Sequence, residues 1–243
     1  MEERVRSLLL KFPGTNCDSE TDRALRTAGF DNDIIPINLL NRDMIFEYSM
    51  VVIPGGFSYG DYIRAGRLAQ LELGLKIGDA LFEFKEKGGL ILGICNGFQI
   101  LLQLALLPQA SLTTNISGRF ICKWVKLKII NRKTPFLYLL PWKFELPVAH
   151  IEGRFVTSEN KANEYVDSGL ASLVYEENIN GSECGIAGLN DETGRVFGLM
   201  PHPERFLFYD DYYNIDKSSN ERYGSGYIFF RSVYEYLKVG GKM

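Results

Sequence analysis

The sequence predicts an α/β fold, with a mostly parallel central sheet covered by helices on both faces and a β-rich second half. Short unbroken apolar runs at residues 5–12, 50–54 and 89–94 alternate with helical patterns, as expected of parallel strands buried on both sides. From residue 112 onward the pattern changes to strands separated by turns. The 243 residues are enough to bury about 70 to 75 per cent of the surface that the unfolded chain would expose, so a large core is available.

The first strand, residues 5–12, runs into the turn Pro13-Gly14-Thr15-Asn16 and a helix whose Ala24, Leu25 and Ala28 share one face and which Gly29 ends. Residues 34–37 form a second strand and residues 50–54 a third, followed by a glycine-rich loop that reaches Ala65. A helix spans residues 67–86, with Gly74 and Gly78 each weakening it by about 1 kcal/mol relative to Ala. Gly88 and Gly89 stop it, residues 89–94 make the fourth strand, and residues 98–107 the next helix. Further strands are expected at 120–130, 144–150, 173–175, 184–189 and 195–200, a short helix at 159–166 and a closing helix at 227–237. No repeat, low-complexity tract or linker divides the chain, which implies a single domain over residues 1–243.

The 27 basic and 30 acidic side chains leave a net charge of -3, which favours neither nucleic acid nor an anionic membrane as partner. Cys17, Cys95, Cys122 and Cys184 are scattered without a C-x-x-C pair, so neither a zinc site nor a disulfide framework is indicated. The opening apolar run carries Arg6 and Lys11 and is too short for a signal peptide, and residues 100–107 fall well below the roughly 18 of a membrane span. A cytoplasmic protein is the expectation.

Gly93-Ile94-Cys95-Asn96-Gly97 has the form of a turn that raises a nucleophile between a buried strand and a helix. Glycines on either side leave room where neighbouring Cβ atoms would clash and permit positive φ. The following helix places the partial positive charge of its N-terminus beside the sulfur. A cysteine between two glycines is otherwise only a small buried residue, an outcome that needs no such turn.

A thiol nucleophile needs a base, and the histidines are His150 and His202. His202 lies in Met200-Pro201-His202-Pro203-Glu204, where the prolines push Met200 and His202 toward extended geometry. In an extended segment residues two apart point the same way with Cα atoms about 6.5 Å apart, so Glu204 reaches the imidazole and completes a triad. Backbone N–H groups at Gly55, Gly56 and Phe57, beyond the third strand, and at Asn96 are candidates to hold an oxyanion; the alternative for Gly55-Gly56 is an ordinary tight turn.

Cysteine on such a turn with His and Glu two apart near the C-terminal end resembles the class I glutamine amidotransferases, which implies their flavodoxin-like fold. Further blocks sharpen the likeness: Gly14-Thr15-Asn16-Cys17-Asp18, Gly55-Gly56-Phe57-Ser58-Tyr59-Gly60-Asp61, Arg64-Ala65-Gly66, Gly118-Arg119-Phe120, Pro147-Val148-Ala149-His150, Glu152-Gly153-Arg154-Phe155, Asn180-Gly181-Ser182 and Ile186-Ala187-Gly188. Over about residues 5–205 they are similar to the glutaminase subunits of the purine-biosynthetic ligase that converts formylglycinamide ribonucleotide to its amidine. Residues 206–223 and 137–143 carry no such likeness.

The resemblance implies hydrolysis of L-glutamine by Cys95, His202 and Glu204 and delivery of ammonia to a large synthetase subunit, with a small third subunit in the complex. ATP and magnesium are then expected on the synthetase and no cofactor on this chain, which lacks a G-x-x-x-x-G-K-[ST] motif. Gln99 is assigned to substrate contact, against a place on the solvated side of its helix. His150 is assigned to the amino-acid end of glutamine, against a satisfied core histidine. The tyrosines at 209–213 are either a partner surface or a half-buried loop. A cysteine peptidase or γ-glutamyl hydrolase on a similar fold, and a non-catalytic interaction module, remain as alternatives; the intact triad speaks against the module.

Overall fold

The computed structural model describes residues 4–61, 65–158, 161–213 and 222–241. Its first half is β1 (Arg6–Lys11), α1 (Asp18–Ala28), β2 (Asp31–Pro36), β3 (Met50–Ile53), α2 (Arg67–Glu86), β4 (Leu90–Ile94) and α3 (Asn96–Gln103). The second half is β5 (Ser111–Thr114), β6 (Ile121–Ile129), β7 (Lys143–His150), β8 (Glu152–Val156), α4 (Ala162–Asp167), β9 (Ala171–Tyr175), β10 (Ile186–Asn190), β11 (Val196–Leu199) and α5 (Ser225–Lys238).

A nine-stranded sheet has the order β2-β1-β3-β4-β11-β10-β9-β6-β7. From β2 to β11 neighbours are parallel, and the β-rich half extends that sheet antiparallel beyond β11. Every residue of β3, β4 and β11 is buried, which explains their uninterrupted apolar sequences. The connection β1-α1-β2 moves one way along the sheet and β3-α2-β4 the other. Right-handed crossovers therefore put α1 and α2 on opposite faces. α1 packs with α5, and α2 with α3. This reversal also gathers the ends of β1, β3, β4 and β11 at one edge, where ligand sites of open parallel sheets form.

Several boundaries differ from expectation. α3 begins at Asn96 rather than 98, because the chain turns into helix directly at Cys95, and it stops early where Ala105 takes φ 58°. α2 covers the predicted span but is kinked at Ile77, φ −142°, beside Gly78. The short helix starts at Ala162; residues 159 and 160 of the predicted span lie outside the described residues. β5 and β8 form a separate antiparallel pair that the sequence did not suggest, since four- and five-residue polar strands carry little period-2 signal. Among the described residues, no helix is long and apolar enough to cross a membrane.

Candidate active site

Cys95 ends β4 and caps α3 with φ 51° and ψ −101°, a conformation that costs a non-glycine residue about 1–3 kcal/mol. Surrounding bonds hold it there: Cys95 N–H donates to Leu199 O at 2.8 Å and Gln99 N–H to Cys95 O at 3.2 Å. The positive φ falls on the cysteine itself, and Gly93 and Gly97 have ordinary φ. Their task is space. A Cβ on Gly97 would lie 2.0 Å from Ile53 O, and one on Gly93 2.6 Å from Gly97 O, so α3 presses directly on β3 and β4. Gly198 on β11 does the same for Phe98, whose ring would meet a Cβ at 2.1 Å.

His202 follows β11, the strand paired in parallel with β4, and so arrives at the same edge as Cys95. The segment is not extended as expected: Pro203–Arg205 is a single 3-10 turn, closed by Arg205 N–H to His202 O at 3.3 Å. The turn brings Glu204 back under its own histidine, and His202 Nδ1 donates to Glu204 Oε1 at 2.6 Å. Both residues are buried. Burial opposes charge on the ring, but the Glu204 carboxylate and the Cys95 sulfur outweigh it and hold the His202 pKa well above its ordinary value. His202 Nε2 makes no hydrogen bond of normal geometry and is closed to solvent.

The loop after β3 lies over the cysteine. A Cβ on Gly55 would stand 2.9 Å from His202 Cε1 and 3.5 Å from Cys95 Cβ, so only glycine fits there. Gly56, at φ 123°, is pressed against Asn16, whose Oδ1 would be 2.4 Å from a Cβ, and Gly14 against Phe57 O at the same distance. The two glycine-bearing turns thus lock into each other. Among the described residues the amides of Gly56 and Phe57 have no hydrogen-bond acceptor within the chain. Asn96 ties this loop to α3: its Oδ1 accepts from Ser58 Oγ at 2.6 Å, and its Nδ2 donates to Asp61 Oδ1 at 3.2 Å and Gln99 Oε1 at 3.0 Å.

A cavity of about 450 Å³ opens over these residues, lined in part by Gly56, Phe57, Cys95, Gln99, His150 and His202. Gln99 is buried rather than solvated and donates Nε2–H to Glu152 O at 2.7 Å, which joins α3 to β8. His150, at the end of β7, contacts Asn115 Oδ1 through Nδ1 at 3.1 Å, while its buried Nε2 has no partner. Burial, with the nearby His202 second, pushes its pKa down to about 4, so the ring is neutral and Nε2 is an acceptor. One nitrogen is thus satisfied by Asn115, and the ring lines the cavity.

Two residues here were not singled out from the sequence. Cys17 caps α1, is buried, and its sulfur accepts a hydrogen bond from Arg205 Nη2 at 3.2 Å; Arg205 Nε donates to Glu20 at 2.8 Å. The Cys17 sulfur would stand 3.4 Å from a Cβ on Gly55, beside the His202 ring. The signal available was its place just beyond a buried parallel strand, at the edge where such sheets bind ligands. Arg64 lies outside the described residues. Tyr209 and Tyr212 are half-buried and Tyr213 is exposed; Tyr212 and Tyr213 pack on Trp124 at ring separations of 4.9 and 5.7 Å.

Residues 4–237 match the model of the CobB/CobQ-like glutamine amidotransferase domain. The chain is 42% identical over 239 residues to phosphoribosylformylglycinamidine synthase subunit PurQ of Thermotoga maritima, covering 97% of this chain and 99% of that one. It is 42% identical over 220 residues to the PurQ subunit of Dehalococcoides mccartyi, covering 84% and 86%. A chain in the solved structure of PurLQS from Thermotoga maritima superposes with a TM-score of 0.79 at 37% identity, over 97% of this chain and 100% of that one. With its nucleophile-type turn, buried His–Glu pair and parallel-sheet edge, the chain belongs to the glutamine amidotransferases of the CobB/CobQ-like family, in the branch of the PurQ subunits.

Proposed function

We propose that this chain is the glutaminase subunit of phosphoribosylformylglycinamidine synthase, releasing ammonia from glutamine for ATP-dependent conversion of formylglycinamide ribonucleotide to its amidine. The observation that carries the chemistry is the arrival of Cys95, on a strained turn, and the buried His202–Glu204 pair at the ends of two adjacent parallel strands. The Cys95 sulfur attacks the side-chain amide carbon of glutamine. Backbone N–H groups of Gly56, Phe57 and Asn96 receive the oxyanion, each such donor being worth about 3 kcal/mol in comparable sites. His202, held protonated by Glu204, gives its proton to the departing ammonia; as a neutral ring it then takes a proton from the water that hydrolyses the glutamyl thioester. Gln99 and His150 line the place of the substrate's amino-acid end.

Ammonia freed into water is lost, so the subunit acts beside a large synthetase subunit and a small third one, as the name PurLQS of the similar structure suggests. ATP and magnesium belong to the synthetase, and this chain takes no cofactor. Four scattered, free cysteines fit a reducing compartment, which is the ground for assigning the protein to the cytoplasm.

Cys17 is the other thiol beside His202, but it caps α1 with an unstrained backbone, φ −98° and ψ 9°, and its sulfur is engaged by Arg205. In the assembled complex, Cys95→Ala should abolish glutamine-dependent amidine synthesis and leave synthesis from ammonium salts intact, while Cys17→Ser should retain glutamine-dependent turnover. Glutamine-dependent turnover surviving in Cys95→Ala refutes the reading.

A further inference from the structure

Two carboxylates stand in the cavity without a cation from the chain to balance them. Asp61, in the loop after β3, and Glu152, the first residue of β8, both line it, and neither is ion-paired with a basic side chain among the described residues. Burial raises the Asp61 pKa, hydrogen bonds from Gly66 and Asn96 oppose that, and the nearby Glu152 charge adds to it. Unbalanced negative charge in a partly closed space favours a cation there.

Asp61 is held in one pose. Its backbone is left-handed, with φ 51°, and its Oδ1 accepts from Gly66 N–H at 3.0 Å and from Asn96 Nδ2 at 3.2 Å. Both bonds fall on one oxygen, so Oδ2 has no partner among the described residues. The same Asn96 Nδ2 donates to Gln99 Oε1 at 3.0 Å, which sets Asp61 beside Gln99, and Gln99 Nε2 donates to Glu152 O at 2.7 Å. His150 adds an acceptor. Asn115 Nδ2 donates to Arg119 O at 2.9 Å and His150 O at 3.0 Å, which fixes Asn115 Oδ1 as acceptor from His150 Nδ1–H and leaves a lone pair on the buried, unpartnered Nε2. The spacing suits glutamine: Gln99 lies one helical turn beyond Cys95, a rise of about 6 Å, with its N–H bonded to Cys95 O. The α-nitrogen of glutamine is four bonds from its side-chain amide carbon, about 5 Å when extended.

We propose that Asp61 binds the α-ammonium group of glutamine through Oδ2, with Glu152 and His150 as the walls of that subsite. The inference rests on the proposed attack of Cys95 on glutamine. Asp61 then selects an amino acid over a plain carboxamide and leaves bond cleavage to the triad.

The test uses the assembled complex and two substrates that differ only in the α-amino group, L-glutamine and glutaramic acid, with kcat/KM measured for each. Asp61→Asn keeps an oxygen for Gly66 and Asn96 and removes the charge, so a role confined to holding the loop would leave the preference for L-glutamine intact. That preference should instead shrink about 10–100-fold, through KM, as expected for loss of a charge-assisted hydrogen bond. A loss shared equally by the two substrates, or no loss, overturns the proposal. A second measurement needs no variant: the parent complex is treated with a diazoketone analogue of L-glutamine and with the same compound lacking the α-amino group, and the rates of Cys95 alkylation are compared. Alkylation at least about 10-fold slower without the amino group is expected, and equal rates overturn the proposal. Both readouts are ratios taken on a working site, so failure here is distinct from failure of the glutaminase reading, which Cys95→Ala decides.

Discussion

His202 donates its Nδ1 proton to Glu204 Oε1 at 2.6 Å, with both side chains closed to solvent. A charged pair of this kind is costly to bury, and breaking one partner strands the other. Its retention at a cavity floor beside a strained cysteine is the physical reason to read it as machinery rather than as structure.

Glu204→Gln keeps the shape of the pair and removes the charge that holds His202 protonated. Glutamine turnover by the complex should fall about 10²–10⁴-fold, mainly in kcat, by analogy with loss of the orienting carboxylate in serine hydrolases. Steady-state ammonia release against glutamine concentration checks it. An unchanged kcat would remove Glu204 from the triad.

Gly97→Ala should destabilise the fold by about 3 kcal/mol, because its Cβ would lie 2.0 Å from Ile53 O and α3 cannot retreat without lifting Cys95. Urea unfolding measures the loss. Labelling of Cys95 by a glutamine-like electrophile should slow in parallel.

Asn96→Ala leaves the backbone amide in place but cuts the links from α3 to Ser58 and Asp61. Leaving the buried Ser58 hydroxyl unpaired costs about 1–3 kcal/mol, while Asp61 Oδ1 keeps its bond from Gly66 N–H at 3.0 Å. Kinetics should show a lower kcat with glutamine, while ammonium-dependent synthesis by the complex stays unchanged.

His150, with its pKa pushed down to about 4 by burial, binds no proton in the folded chain where the unfolded chain, with an ordinary value of 6.5, does. Stability is therefore full above pH 6.5 and declines as the pH falls toward 4, by roughly 3 kcal/mol for this group. Urea midpoints at pH 7 and 4.5 for the parent and His150→Gln test this. The variant should show the shallower pH dependence.

Much of the fold was legible because its strands are buried on both sides. Continuous apolar runs such as 50–54 and 89–94 then report the parallel sheet directly, and β3 and β4 fell where they indicated. The start of α3 was not legible, since apolar periodicity begins at Phe98 while the helix begins at the turn itself. The pair β5–β8 was missed because short, half-polar strands look like loops.

By itself the sequence determined the local chemistry: a cysteine between two glycines, a histidine between two prolines and a glutamate two residues on. Those are covalent neighbours, so spacing alone constrains them. Only the tertiary structure decided that the strain sits on Cys95 and not on its glycines, that Glu204 reaches His202 through a turn, and that Cys17 stands beside the same ring. These relations depend on which strands lie side by side. Strand order is set by packing and crossover handedness across the whole sheet, information that no local window of sequence carries.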